Sequence, residues 1–112
     1  MTHPIAEVLR AAADLVEPEG AWTRGVYARG KDGQQVDPQS RRATCWCGVG
    51  AIIRAGGWDS VFRAEKFLRV AARYRSQDAL PHWQDRKGRT QADVVAALRK
   101  AADLAEAGER EE

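Results

Sequence analysis

Two cysteines separated by one residue are the side chains in this sequence best suited to covalent chemistry. Cys45 and Cys47 stand where a helix is predicted to start. If Thr44 caps that helix, Cys47 lies in its first turn, where unpaired amides and the helix dipole stabilise a thiolate. A nucleophilic thiol also needs a base and a group that orients it, and His82 and Asp85 can supply them from a later segment. These residues predict, as an alternative function, a hydrolase or acyl-transfer enzyme centred on Cys47.

The same side chains also have a structural interpretation, in which Cys47 is a small buried residue and His82 is a solvated one. A metal site made of Cys45, Cys47, His82 and Asp85 is a further alternative, but two side chains two positions apart on a helix point about 200° apart. Both thiols could face one ion only in an extended segment. Gly48 and Gly50 lack the third glycine of a dinucleotide-binding fingerprint. We therefore predict no metal and no cofactor.

Positive charge is concentrated in the middle of the sequence. Residues 20–90 contain 14 Lys or Arg and 6 Asp or Glu, a net charge of +8, whereas residues 1–19 and 91–112 each carry −3. Within the middle, Arg63, Lys66, Arg69 and Arg73 fall within about 120° of one another on a predicted helix. They are the candidate partner-binding residues. An acidic protein surface is the predicted partner and nucleic acid the alternative, while a solvated face without a partner is the structural interpretation.

The elements that position these residues follow from the spacing of the apolar side chains. Four helices are predicted, with Thr90 and Asp93 forming a capping box at the start of the last one. A β-hairpin is predicted between the first two helices, because Lys31-Asp32-Gly33 favours a tight turn. The predicted ranges are Ile5–Val16, the hairpin at Trp22–Val36, then Thr44–Ala55, Asp59–Arg75 and Thr90–Gly108, with Ser76–Arg89 as a long ordered loop.

Particular residues are expected to be buried or to allow close packing. The second helix has apolar and small side chains over most of its surface, and its glycines, Gly48 and Gly50, indicate close approach of another backbone. Val61, Phe62 and Val70 are among the apolar positions predicted for the third helix. The four tryptophans, Trp22, Trp46, Trp58 and Trp83, suit either a core or a binding surface.

The chain has 112 residues, a common size for one domain. We predict a mainly α fold, with a single helical domain over residues 1–108 and an acidic tail over residues 109–112. No apolar stretch approaches the roughly 18 residues of a membrane-spanning helix, and no secretory signal is recognisable. Cys45 and Cys47 are too close in sequence for an unstrained disulfide, so we expect two thiols in a reducing, cytoplasmic compartment.

The motifs of this sequence resemble those of an uncharacterised family of small bacterial and bacteriophage proteins. The matching residues are Trp22 and Gly25, then Trp46-Cys47-x-x-Gly50-Ala51-Ile52, and later Trp83-x-Asp85 with Arg89-Thr90 and Val94. Gln84 stands where that family commonly has asparagine. The resemblance implies a shared fold and a connection to phages or mobile elements, but no reaction.

The combined patterns predict a small non-catalytic binding or regulatory protein that contacts a macromolecule through its basic surface. The resemblance implies that this protein is an accessory factor of a phage or mobile element. The alternatives are the cysteine-dependent enzyme centred on Cys47 and direct binding of nucleic acid. Neither the identity of the partner nor an oligomeric state follows from the sequence.

Overall fold

The computed structural model describes residues 4–72 and 90–111, and the side chains of residues 4–71 and 90–108. Its elements are α1 (Pro4–Val16), β1 (Ala28–Gly30), β2 (Ala43–Trp46), α2 (Gly48–Gly56), a 3₁₀ turn (Trp58–Ser60), α3 (Val61–Ala72) and α4 (Gln91–Glu111). The predicted fold class is confirmed over this part of the chain, with four α-helices and a two-stranded antiparallel hairpin between the first two. The predicted loop Ser76–Arg89 lies outside the described residues.

α1 and α4 pack against each other in antiparallel directions. The Gln91 side chain at the start of α4 donates from Nε2 to the Val16 carbonyl at the end of α1, at 2.6 Å. At the other end of the pair, the Arg10 guanidinium donates to Glu106 Oε2 at 2.9 Å. The two acidic ends of the sequence are therefore brought side by side in the fold.

The predicted capping box at the start of α4 is confirmed. Thr90 donates its backbone N–H to Asp93 Oδ2 at 2.9 Å, and the Asp93 N–H is donated to Thr90 Oγ1 at 3.1 Å. Two amides that lack helical partners are satisfied in this way. The predicted end of this helix at Gly108 differs from the structure, in which the helical backbone continues to Glu111.

The core is built from large aliphatic side chains separated by alanines. Small residues on the facing sides of helices let their backbones approach, and the larger side chains fill the remaining space. No helix among the described residues is long and apolar enough to cross a membrane. The largest fully buried side chains include Leu9, Val16, Ile52, Ile53, Leu68, Val94 and Leu98, and the fully buried alanines include Ala6, Ala12, Ala13, Ala51, Ala64, Ala101, Ala102 and Ala105.

Replacing Ile52 with alanine should destabilise the fold by about 2 to 5 kcal/mol, because its side chain is fully buried and its loss leaves a cavity. The free energy of unfolding, measured by urea denaturation followed by circular dichroism, tests this. Val70→Ala is the matched control, since Val70 is 63% exposed and its truncation should change stability by less than about 0.5 kcal/mol. A comparable small loss for Ile52→Ala would contradict the central position of α2.

The predicted turn of the hairpin forms, but its second strand lies farther along the chain than expected. Gly33 has a φ of 83° and donates its N–H to the Gly30 carbonyl at 2.9 Å. Residues 34–36 return beside β1 through two backbone hydrogen bonds, from the Gly30 N–H to the Gln34 carbonyl at 2.9 Å and from the Val36 N–H to the Ala28 carbonyl at 3.1 Å, but they do not form a strand. The strand that pairs with β1 is β2, which places Arg29 opposite Cys45.

The second helix begins later than predicted. Thr44 belongs to β2, and the helix starts at Gly48 with Cys47 as its N-cap residue. Thr44 therefore does not cap α2, because pairing with β1 holds residues 43–46 in an extended conformation. α2 ends at Gly56, one residue after the predicted Ala55, and Gly57, at a φ of 84°, donates its N–H to the Ile53 carbonyl.

Candidate functional site

Cys47 joins the hairpin to α2 and is buried at that junction. Its Sγ accepts a hydrogen bond from the Gly50 N–H at 3.3 Å, and its own N–H is donated to the Tyr27 carbonyl at 3.1 Å. The residue is 2% exposed. Its sulfur is thus an N-cap acceptor sealed inside the fold, and a substrate could reach it only after the start of α2 had opened.

The other predicted members of the catalytic site, His82 and Asp85, lie outside the described residues. The geometry of a site with Cys47 is therefore still a prediction. Cys45 is half-buried, and its Sγ faces the Arg29 carbonyl at 3.9 Å, whereas Cys47 faces Gly50. Within residues 4–71 and 90–108, no group of three His, Cys, Asp or Glu side chains is placed to hold a metal ion.

Two of the cations join α1 to α4. Arg10 pairs with Glu106 and Asp103, and Arg99 pairs with Asp14 and Glu17, all at 2.9 to 3.1 Å. Hydrogen bonds to Glu106 and then Asp103 raise the pKa of Arg10, and those to Glu17 and Asp14 raise that of Arg99. These partly exposed pairs link the two acidic helices and engage both guanidinium groups.

Two further arginines hold the hairpin region in place. Arg29 donates to Thr23 Oγ1 at 3.0 Å and to the Gly33 carbonyl at 3.0 Å. Arg54 donates to the Ser40 carbonyl at 2.8 Å, and its guanidinium lies 5.5 Å from the centre of the Trp46 ring. Both side chains are thus committed to backbone carbonyls, and their role is structural.

The remaining candidate cations lie on α3, where the Lys66 ammonium is 5.8 Å from the centre of the Phe67 ring. Arg63 and Lys66 are exposed and Arg69 is half-buried, and none of them forms an ion pair with a described residue. The fourth predicted member, Arg73, lies outside the described residues. Three of the four candidate partner-binding residues thus have no ion-pair partner in the part of the chain that the structure describes.

Two large apolar side chains lie on the same side of α3 as these cations. Phe62 is 84% exposed and Val70 is 63% exposed, whereas Ala64 and Leu68 on the opposite side are buried. At 100° per residue, Phe62 falls between Arg69 and Lys66, with Val70 and Arg63 beyond Lys66. We call these five residues, Phe62, Arg63, Lys66, Arg69 and Val70, the α3 face.

Phe62 and Val70 are among the apolar positions predicted for the third helix, but they do not belong to the core. The apolar residues of α3 are spread around the helix, and only the side that carries Ala64 and Leu68 packs against the rest of the described fold. Counting apolar residues missed this, although a helical wheel places Phe62 among the cations. An exposed phenylalanine surrounded by cations is the signal that could have identified these two residues as functional candidates.

The tryptophans divide between core and surface. Trp46 is buried and donates from Nε1 to the Pro38 carbonyl at 2.9 Å. Trp22 is half-buried, with the Arg24 guanidinium 4.8 Å from its ring centre. Trp58 is 50% exposed and meets Tyr27 edge to face, with their ring centres 5.6 Å apart. Trp83 lies outside the described residues.

Comparison with known proteins gives one match. A model described as a family of unknown function, DUF6197, matches residues 1–104. No curated protein and no solved structure matches the chain.

Proposed function

This chain belongs to the DUF6197 family of unknown function, and we propose that it is a small non-catalytic binding protein that contacts an acidic protein surface through the α3 face. The observation that carries the proposal is the exposure of Phe62, at 84%, among cations that have no ion-pair partner in the described part of the chain. Large aromatic and arginine side chains dominate the binding energy of protein interfaces.

The apolar part of the α3 face favours a protein over a nucleic acid duplex as its partner. A duplex contacted through its phosphates would use the cations and leave Phe62 and Val70 in water. A protein surface with an apolar centre and an acidic rim would bury both side chains and would complement Arg63 and Lys66. The mixture of residue types on this helix therefore matches an amphipathic, acidic protein.

The distribution of charge supports the same assignment. The acidic helices α1 and α4 are paired with each other through Arg10 and Arg99, so four of the carboxylates in this region already have cationic partners. The cations of the α3 face have none within the described residues. A partner of opposite charge would be attracted to α3 at long range, and salt would weaken that attraction.

Two broader features belong to the proposal as well. A cytoplasmic location is supported by Cys45 and Cys47, neither of which forms a disulfide. A role as an accessory factor of a phage or mobile element is supported by the resemblance of the Trp-Cys-x-x-Gly-Ala segment and the Trp-x-Asp segment to such proteins.

Replacing Phe62 with alanine should weaken the complex with an acidic protein partner about 30-fold, the effect of losing a hot spot worth about 2 kcal/mol. Proteins bound by the immobilised wild-type chain from nuclease-treated bacterial lysate would be identified by mass spectrometry. The dissociation constant of each purified candidate would then be measured for wild type, for Phe62→Ala and for the double reversal Arg63→Glu with Lys66→Glu.

Lys100→Glu is the matched control, because Lys100 is an exposed lysine on α4, outside the α3 face. It should leave the affinity for the partner unchanged, and circular dichroism should show all variants folded. Equal affinity of wild type, Phe62→Ala and the double reversal for every captured protein would overturn the proposal. Capture from untreated lysate that is lost both after nuclease treatment and in the double reversal would replace the protein partner of the α3 face with nucleic acid.

A further inference from the structure

A groove on the hairpin carries a second group of cations. It has a volume of about 580 Å³ and lies between the turn after β1 and the residues that lead into β2. Lys31, Arg41 and Arg42 line it and are exposed, and none of them forms an ion pair with a described residue. We call it the hairpin groove.

The one carboxylate that lines the groove is already engaged. Asp32 Oδ1 accepts a hydrogen bond from the Gln34 N–H at 3.1 Å, which shapes the turn. Because this carboxylate is used by the backbone and is outnumbered three to one, the groove has a net positive charge. Its volume is within the roughly 300 to 1,000 Å³ of ligand-binding cavities.

An aromatic cleft adjoins the hairpin groove. This second cavity, of about 420 Å³, is lined by Tyr27 and Trp58, and it shares Gln35 and Val36 with the groove. Asp37 also lines it, and its Oδ1 accepts a hydrogen bond from the Gln39 N–H at 2.8 Å. Tyr27 is 38% exposed and Trp58 is 50% exposed. The two cavities are thus neighbours, the first with three cations and one carboxylate and the second with two exposed aromatic rings and one carboxylate.

We propose that the hairpin groove and the aromatic cleft bind single-stranded nucleic acid, a ligand distinct from the protein proposed for the α3 face. Proteins that bind single strands combine a positive groove along the phosphates with aromatic side chains on which bases stack. Lys31, Arg41 and Arg42 supply the first feature, and Trp58 with Tyr27 supplies the second. An acidic peptide would match the cations but has no bases to stack, and a duplex keeps its bases paired away from Trp58.

The salt dependence of binding to a fluorescently labelled 12-nucleotide oligothymidylate tests the role of the cations. Three phosphate contacts on a single strand give a slope of about −2 for the logarithm of the association constant against that of salt, or about a 20-fold loss of affinity between 50 and 200 mM. In the double variant Arg41→Ala with Arg42→Ala only the phosphate contact of Lys31 remains, so the loss of affinity between 50 and 200 mM salt should be only about 3-fold. Lys100→Ala is the control and should keep the wild-type dependence.

Trp58 tests the aromatic half of the surface. Trp58→Ala should weaken binding of the oligothymidylate about 5- to 150-fold at constant salt, the effect of losing one stacked base. Trp58→Phe should recover much of that loss because a ring remains, which a purely electrostatic site would not show. Circular dichroism and thermal melting should confirm that each variant is folded, as expected for a half-exposed side chain.

Several outcomes would overturn this inference. One is that the chain fails to bind the oligothymidylate at 50 mM salt. The others are that it binds a 12-base-pair duplex as tightly as the oligothymidylate, or that the Arg41 and Arg42 substitutions leave the affinity for the oligothymidylate unchanged. Binding of a proline-rich or acidic peptide that depends on Trp58, without binding of the oligonucleotide, would assign the surface to a peptide. The double variant Arg41→Ala with Arg42→Ala should still bind the protein partner of the α3 face with wild-type affinity. Phe62→Ala should still bind the oligonucleotide with wild-type affinity, so the two proposals can fail independently.

Discussion

Replacing Gly50 with alanine should destabilise the fold by more than about 4 kcal/mol, a large part of the 5 to 15 kcal/mol that holds a typical domain together. A Cβ atom at this position would overlap the Tyr27 carbonyl oxygen and would lie 2.8 Å from its carbonyl carbon. These are backbone atoms, so no side chain can rotate away to make room. The same Tyr27 carbonyl accepts the N–H of Cys47 at 3.1 Å, and moving it would break the junction between the hairpin and α2.

Urea denaturation followed by circular dichroism would measure this effect. Gly108→Ala is the matched control, because a Cβ there would lie 3.8 Å from Phe67 Cε1, an ordinary contact. Since alanine favours a helix more than glycine does, Gly108→Ala should leave stability unchanged or raise it by up to about 1 kcal/mol. Wild-type stability in Gly50→Ala would show that Tyr27 does not pack against α2 as described.

Cys47 should react with iodoacetamide at least about 1,000-fold more slowly in the native protein than in the urea-unfolded chain. Its burial means that α2 must open before the sulfur can react, and an opening free energy of about 4 kcal/mol corresponds to that factor. The rate would be measured at pH 8 in Cys45→Ser, which retains Cys47 as its single thiol, with mass spectrometry to count the adducts.

Cys47→Ser provides the comparison, since it retains only the half-buried Cys45. Serine is a good N-cap residue, so this variant should keep α2 folded. Cys45 should label faster than Cys47 in the native state, and the two rates should converge in urea. Rapid labelling of native Cys47 at pH 6 would instead indicate an accessible thiolate and would favour the alternative of a cysteine-dependent enzyme.

The two proposed surfaces would let one small chain hold two ligands. The α3 face presents Phe62 among cations, and the hairpin groove presents cations beside Trp58. The 3₁₀ turn that carries Trp58 leads directly into α3. A chain that bound a single strand at one surface and an acidic protein at the other would bring the two together, which is a suitable activity for an accessory factor.

Local sequence signals were sufficient to predict the helices and several of their ends. The apolar spacing of α1 and the capping box of Thr90 and Asp93 act within a few residues, so their effects can be recognised without the rest of the fold. The close approach at Gly50 was also predicted, because glycine weakens a buried helix and is favoured there where a neighbouring backbone leaves no room for a Cβ. The identity of the approaching residue, Tyr27, required the structure.

What only the tertiary structure decided is which segments meet. The turn at Lys31-Asp32-Gly33 indicated a local hairpin, but the partner of β1 is the more distant β2, and that pairing delays the start of α2 and makes Cys47 its cap. The composition of α3 likewise did not show which of its sides would be covered, because apolar residues occur all around it. Packing buried Leu68 and left Phe62 in solvent. Pairing and burial depend on contacts between residues far apart in the chain, and no local pattern encodes them.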